Sequence, residues 1–228
     1  MDELISKQLK KDYLNNVDFI YAYFHGAKVI CCNENLFVMY FNGTYFIKGT
    51  NQQIAKYLNQ LPNCKSLVIH NSIFDSLIKD KFKLDKVISA YQYSYLKDDI
   101  FPINNPKVKI KLLDKNYLDF IIANYKAPVT KEYLITRLEA NVFIGAFIED
   151  EIVGFAGIHS EGTIGFVEVL EQYRRMKIGT MLETTLIANL LKNKEIVYLQ
   201  VECNNFGSMK FHEKLGFKKA DDIISWYE

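Results

Sequence analysis

Arginine is scarce in this chain. Among 28 lysines and arginines, only Arg137, Arg174 and Arg175 are arginines, and two of them stand together in "EVLEQYRRMKIGTML", just ahead of Gly179 and an apolar run at helical spacing. A helix start presents backbone N–H groups without intrahelical partners, and the helix dipole adds positive potential there, so it suits an anionic oxygen, most often of a phosphate. A glycine lets such a group approach the main chain, and guanidinium forks match phosphate geometry. The stretch Arg174, Arg175, Met176, Lys177, Ile178, Gly179 and Thr180 therefore reads either as an anion cradle or as a solvated basic turn that binds nothing.

Titratable residues lie on both sides of it. Glu168 sits on the preceding apolar stretch, and His159 and Glu161 lie near the turn before that. Each could take a proton from an ammonium group, directly or through water, and a glutamate beside two arginines could equally be their ion-pair partner. His212 falls in "NFGSMKFHEKLG", a helical stretch headed by Asn205 and Ser208. His25 and His70 stand alone and read as structural. Cys31, Cys32, Cys64 and Cys203 lack CxxC spacing, so reduced thiols are expected and a metal site is not. Neither GxGxxG nor GxxxxGK[ST] occurs, which disfavours dinucleotide and nucleoside-triphosphate binding.

The elements that would position these residues follow from pattern. "IFPINNPKVKIKLLD" holds two prolines around two asparagines, and a proline confines the residue before it to extended backbone. The reading places a boundary there, between an N-terminal α/β domain over 1–103 and a second domain over 107–228. The first half reads as helix, three strands, helix, strand, helix, strand. Its first helix carries Leu4, Ile5, Leu9 and Leu14, its second stops at Pro62, and Asn71 or Ser72 caps its third. The second half reads β-α-α-β-β-β-α-β-α-β. There Asp114 and Thr130 cap the first two helices, Ile178, Leu182, Leu186, Leu190 and Leu191 line one face of the third, and Gly216 ends the last.

With the order of elements in place, "VLEQYRRMKIGTML" and "NNFGSMKFHEKLGF" together resemble the acetyl-CoA-binding core of the GNAT N-acetyltransferase superfamily. The first motif falls on Arg174, Lys177 and Gly179, and the second on Asn205, Ser208 and "HEKLGF". The likeness covers roughly 107–228 and implies a mixed α/β GNAT acyltransferase fold with a second, smaller α/β domain before it. "GFAGIHSEGTIGFVEVL" followed by "YRR" is similar to the glycine N-acyltransferase-like branch, whose members also carry an extra N-terminal domain.

The resemblance implies roles residue by residue. The main chain from Arg174 to Thr180 would wrap the CoA pyrophosphate, and Val169 and Leu170 would pair with the pantetheine arm. A backbone N–H there would polarise the thioester carbonyl, while Asn205 and Ser208 would border the cofactor. Two departures stand out. Lys177 occupies the usual first glycine, where it could add a charge to the phosphates or point to solvent, and a positive φ there would cost stability. His212 replaces the usual tyrosine acid. An imidazole titrates near 6.5 and a thiol near 8.5, so His212 could return a proton to the leaving thiolate, or stand idle while water does so. Glu168 is the first choice for general base. Trp226 and Tyr227 read as core-closing or as lining of the acceptor pocket.

The leading function is acetyl-CoA-dependent N-acetyl transfer to a small-molecule amine or amino acid. A non-catalytic acyl-CoA-binding regulator and a protein acetyltransferase are the alternatives. At a net charge of +1, no global field draws the chain to nucleic acid or to an anionic membrane. No apolar run approaches the roughly 20 residues of a bilayer span, and the N-terminus lacks a signal-peptide pattern. A cytoplasmic location is expected, and a homodimer is left open.

Overall fold

The computed structural model describes residues 2–71 and 73–228. In chain order the elements are α1 (Asp2–Lys10), α2 (Val17–Phe24), β1 (Lys28–Cys32), β2 (Leu36–Phe41), β3 (Thr44–Gly49), α3 (Asn51–Gln60), β4 (Leu67–His70), α4 (Asp75–Phe82) and β5 (Lys86–Ser94). They continue with β6 (Lys109–Leu112), α5 (Leu118–Asn124), α6 (Lys131–Glu139), β7 (Ile144–Ile148), β8 (Glu151–Ile158), β9 (Ile164–Val169), α7 (Ile178–Lys192), β10 (Tyr198–Glu202), α8 (Phe206–Leu215) and β11 (Lys218–Tyr227). Mixed α/β architecture and the expected order after residue 107 are both observed.

Packing divides the chain into two units, one of residues 1–95 with 198–228 and one of residues 96–197. The expected boundary at 103 falls near only one of the two cuts. The reason lies in strand pairing. In the first unit β1 pairs with β2, β2 with β3, and β3 runs parallel to β4. β11 then lies between β4 and β5, antiparallel to both, and β5 pairs in turn with β10. The last strands of the chain are therefore built into a sheet whose other strands come from before residue 95.

A repetition explains this arrangement. From α1 to β5 the order is α-α-β-β-β-α-β-α-β, and from α5 to β11 it is the same. The final strand of each half crosses over: β5 pairs with β10 of the second half, and β11 with β4 of the first. The two final strands also pair with each other, Ile224 opposite Ala90.

Local chemistry accounts for most boundaries. Thr50 accepts the Gln53 N–H to cap α3, and Thr130 accepts the Tyr133 N–H at 3.2 Å to cap α6 alone, as its spacing implies. Asp114 caps a short 3-10 turn ahead of α5. The extended Leu61 ends α3 before Pro62, and Gly216 ends α8 at φ 104°. Two expectations fail. Asn71 does not cap α4. It has φ 50°, binds the Asp222 side chain, and exchanges backbone and side-chain bonds with Ile223, while Ser72 lies outside the described residues. The helix α2 was not expected. "VDFIYAYF" is aromatic and β-branched, but five of its eight residues are buried, and that burial overrides a strand-like composition.

The core of the first unit lies on the α3 and α4 face, where Val38, Ile47, Ile54, Leu58, Ile69 and Ile78 are all fully buried. In the second unit β9, β8, β7 and β6 form an antiparallel ladder in that order. Phe143, Phe155 and Phe166 pack with Leu134 and Leu138 of α6 beneath it. On α7, Ile178, Met181, Leu182, Leu186 and Ile187 are buried, whereas Leu190 and Leu191 are half-buried, near the end of the helix. Among the described residues no helix is long and apolar enough to cross a membrane.

Candidate active site

The candidate residues are distributed over both units. Glu168 through Thr180 belong to the second, and Asn205, Ser208 and His212 to the first.

In the second unit, β9 carries a bulge. Gly165 faces Gly157 and Glu168 faces Phe155, so β9 has one residue more than β8 between these pairs. The buried Phe166 takes φ 54° there, which costs on the order of 1–3 kcal/mol and persists only because neighbours hold it. The His159 ring stacks on it with centroids 3.9 Å apart. Beyond the bulge Glu168 is half-buried. The Leu170 N–H donates to the Val153 carbonyl at 2.9 Å, so it is already engaged. Backbone polarity alternates along a strand, which turns the N–H and C=O of Val169 away from β8.

The chain then makes a short turn over Glu171–Tyr173 and arrives at α7 through two left-handed residues, Arg175 at φ 64° and Lys177 at φ 61°. The positive φ at Lys177 is the strain its sequence position implied, on the order of 1–2 kcal/mol against glycine. No side chain caps α7. The first intrahelical bond runs from the Met181 N–H to the Lys177 carbonyl at 3.0 Å, so the N–H groups of Ile178, Gly179 and Thr180 precede it. A Cβ added at Gly179 would meet only Val169 Cγ2, at 3.8 Å. The protein's own packing thus leaves room for a Cβ at Gly179, in ordinary contact with Val169. Arg174, Arg175, Met176 and Lys177 are exposed around it, and Arg174 Nε reaches back to donate to the Val169 carbonyl at 3.4 Å.

The other two base candidates are tied up. Glu161 accepts from Thr163 Oγ1 at 2.7 Å and Ser160 Oγ at 3.4 Å. His159 Nδ1 lies 3.3 Å from the Tyr133 hydroxyl. Burial holds the His159 imidazole below its usual range, with Glu161 pulling it upward and Arg137 downward. A depressed histidine favours folding only while neutral. Its contribution is complete above about pH 6.5, the unfolded value, and falls as pH drops toward the lowered folded one. The unfolding midpoint of wild type should therefore drop more between pH 7.5 and 5.5 than that of His159→Gln. Parallel curves would show that the imidazole takes up its proton alike in the folded and unfolded states.

In the first unit, Asn205 is the N-cap of α8, its Oδ1 accepting the Ser208 N–H at 3.0 Å. His212 is only 7% exposed, so it is not a solvated helix residue. Its Nδ1 lies 2.8 Å from the Ser208 carbonyl and 3.2 Å from Ser208 Oγ. A carbonyl can only accept, so Nδ1 carries the hydrogen of that bond. The rings of Phe211, Phe217 and Tyr93 surround it, with centroids 5.1, 5.7 and 6.3 Å away. Tyr93 donates to Glu213 at 3.5 Å, and burial, then Glu213, pushes its phenol up to about 12. Tyr93 belongs to β5, and no spacing in the sequence links it to His212. Tyr227 closes the core and donates to Asp75 at 2.8 Å, and Trp226 packs on Phe46 and donates to Gln200. No group of three His, Cys, Asp or Glu is placed to hold a metal among the described residues.

Residues 111–217 match the Acetyltransferase (GNAT) family. An N-alpha-acetyltransferase of Sulfurisphaera tokodaii is 26% identical over 129 residues, covering 53% of this chain and 77% of that protein. N-alpha-acetyltransferase 30 of Schizosaccharomyces pombe is 28% identical over 142 residues, covering 61% and 89%. The solved structure of a Drosophila protein superposes with a TM-score of 0.73 at 12% identity, over 99% of this chain and 94% of that one, so the fold extends across both halves. Over residues 111–217, then, this chain is similar to the Acetyltransferase (GNAT) family.

Proposed function

We propose that the protein transfers an acetyl group from acetyl-CoA to the α-amino group of an amino acid or peptide. The observation that carries the reading is the start of α7, where uncapped N–H groups, an open glycine and three exposed cations converge. A side-chain cap or a filled Gly179 position would have left no room for phosphate oxygen. Two relatives named N-alpha-acetyltransferases favour an α-amine, as does the narrower resemblance to glycine N-acyltransferase-like proteins, since glycine offers an α-amine too.

Acetyl-CoA would supply the activated acetyl group. The N–H groups of Ile178, Gly179 and Thr180, with Arg174, Arg175 and Lys177, would hold its pyrophosphate. The main chain of Val169 turns away from β8, its carbonyl accepting from Arg174 Nε, while the Leu170 N–H is bonded to Val153. Holding both reactants together supplies much of the rate. Glu168 would take a proton from the ammonium group, leaving a neutral amine that attacks the thioester carbonyl and forms the C–N bond. His212, when protonated, would give a proton to the CoA thiolate as the thioester C–S bond breaks, its ring held by the bond from Nδ1–H to the Ser208 carbonyl.

The test is CoA release from acetyl-CoA with a panel of α-amines and non-α amines. Turnover confined to non-α amines would sink the acceptor assignment. His212→Ala should keep acetyl-CoA affinity and lose about 100-fold in kcat, the lower end for a general acid. An unchanged kcat would give its role to water.

A further inference from the structure

The bulge in β9 decides which way two candidate site residues face. Residues paired across neighbouring strands share a face of the sheet. Phe155 and Gly157 lie on the α6 face: Phe155 packs with Leu134 and Leu138, and a Cβ at Gly157 would meet the Phe143 ring at 2.9 Å. Glu168 lies opposite Phe155 and so shares that face. Val169, opposite Gly154, is turned to α7, where its Cγ2 would meet a Cβ at Gly179 at 3.8 Å. In unbroken register from Gly165, Glu168 would instead stand opposite Gly154 and Val169 opposite Val153, and both side chains would change faces.

The bulge is held by aromatic packing. His159 stacks on Phe166 with centroids 3.9 Å apart and planes at 25°, and Phe143 and Tyr125 close on the same ring at 4.7 and 5.1 Å. His159 is fixed in turn. Its Nδ1 lies 3.3 Å from the Tyr133 hydroxyl, which also accepts the Ser160 N–H at 3.0 Å. On its other side the imidazole fills the place of a side chain at Gly165, where a Cβ would overlap Nε2. Tyr133 of α6, His159 and Phe166 thus form one packed series that ends two residues before Glu168. A phenylalanine has no preference of its own for positive φ, so the conformation depends on these contacts.

We propose that His159 is a positioning residue for Glu168: with Tyr133 it locks Phe166 into the bulge, and the bulge keeps the Glu168 carboxylate on the α6 face. Its effect on the reaction runs wholly through Glu168. The inference therefore deepens the acetyl-transfer reading and rests on Glu168 taking the ammonium proton there.

The experiment measures full-length wild type, His159→Ala, His159→Phe, Glu168→Gln, and His159→Ala combined with Glu168→Gln. The substrates are acetyl-CoA and alanyl-alaninamide, with unfolding midpoints taken alongside. His159→Ala should lower kcat about 100-fold, the cost of a misplacement of about 1 Å, with both KM values little changed. His159→Phe, which keeps a ring on Phe166, should recover most of that loss. In the combined variant the loss should be that of Glu168→Gln alone, since no carboxylate remains to misplace. Losses that multiply would make His159 merely structural, and undiminished kcat in His159→Ala would show that the bulge holds without it. Either result overturns the inference. Wild-type kcat in Glu168→Gln would remove Glu168 from the reaction, and the inference with it. If His159→Ala does not fold, Tyr133→Phe, stripped only of the hydroxyl that meets His159 and Ser160, replaces it in the same cycle. If no acetyl transfer occurs at all, that reading fails by itself. A crystal structure of the variant then still decides the lock: Glu168 no longer opposite Phe155 supports it, and an unchanged bulge overturns it.

Discussion

Residues 107–228 expressed alone should not fold. The segment contains the whole family match, yet its last two strands would lose β4 and β5. β5 lies between β10 and β11 and pairs with both, Gln200 opposite Gln92 and Ile224 opposite Ala90, while the outer side of β11 is covered by β4. Removing residues 1–103 would strip those ladders of partners along β10 and along both edges of β11. It would also remove Tyr93 from beside His212. Unpaired backbone and open strand edges are costly and aggregation-prone, and a domain has only about 5–15 kcal/mol to lose. The fragment should be insoluble or show no cooperative unfolding transition. Co-expressing 1–103 and 107–228 as separate chains, with a tag on one, should bring both through purification together. A cooperative transition from 107–228 alone would show that β10 and β11 can find other partners.

Gly179→Trp should abolish acetyl-CoA binding with little effect on stability. The position is on α7, where any residue other than proline is a better helix former than glycine, and its Cβ direction is open to 3.8 Å. The fold therefore has no need of glycine here. A ligand lying on the N–H groups of residues 178–180 does need it, and an indole would occupy that space. The dissociation constant measured by calorimetry should rise at least 100-fold, about 2.7 kcal/mol, while the unfolding midpoint stays within a few degrees of wild type. Gly179→Ala, adding one methyl group, should bind more weakly than wild type and unfold no earlier. Undiminished binding in Gly179→Trp would place the phosphates elsewhere and remove the main support for the proposed reaction.

Much of the second half was legible because its signals are local. A capping threonine, a terminating glycine, a proline that stops a helix and alternating apolar runs act within a few residues, and the ten elements after residue 107 follow them in order. The paired arginines, Lys177 and Gly179 were legible for the same reason, since a helix start and the loop before it are one continuous stretch. Even the strain at Lys177 could be anticipated from the residue it replaces. The helix α2 was not legible, because its aromatic composition points to a strand and only burial on the sheet makes it helical.

What the sequence determined by itself was a mixed α/β chain with a phosphate-suited helix start and a GNAT-like order of elements. Tertiary structure alone decided which strands lie beside which, and so where the halves divide. It set Tyr93 beside His212, buried a histidine that could have been solvated, and set Gln92 opposite Gln200. The physical reason is one of range. Caps, turns and periodicity are interactions between near neighbours in the chain, whereas strand pairing joins residues more than a hundred positions apart, and nothing in either segment alone specifies the other.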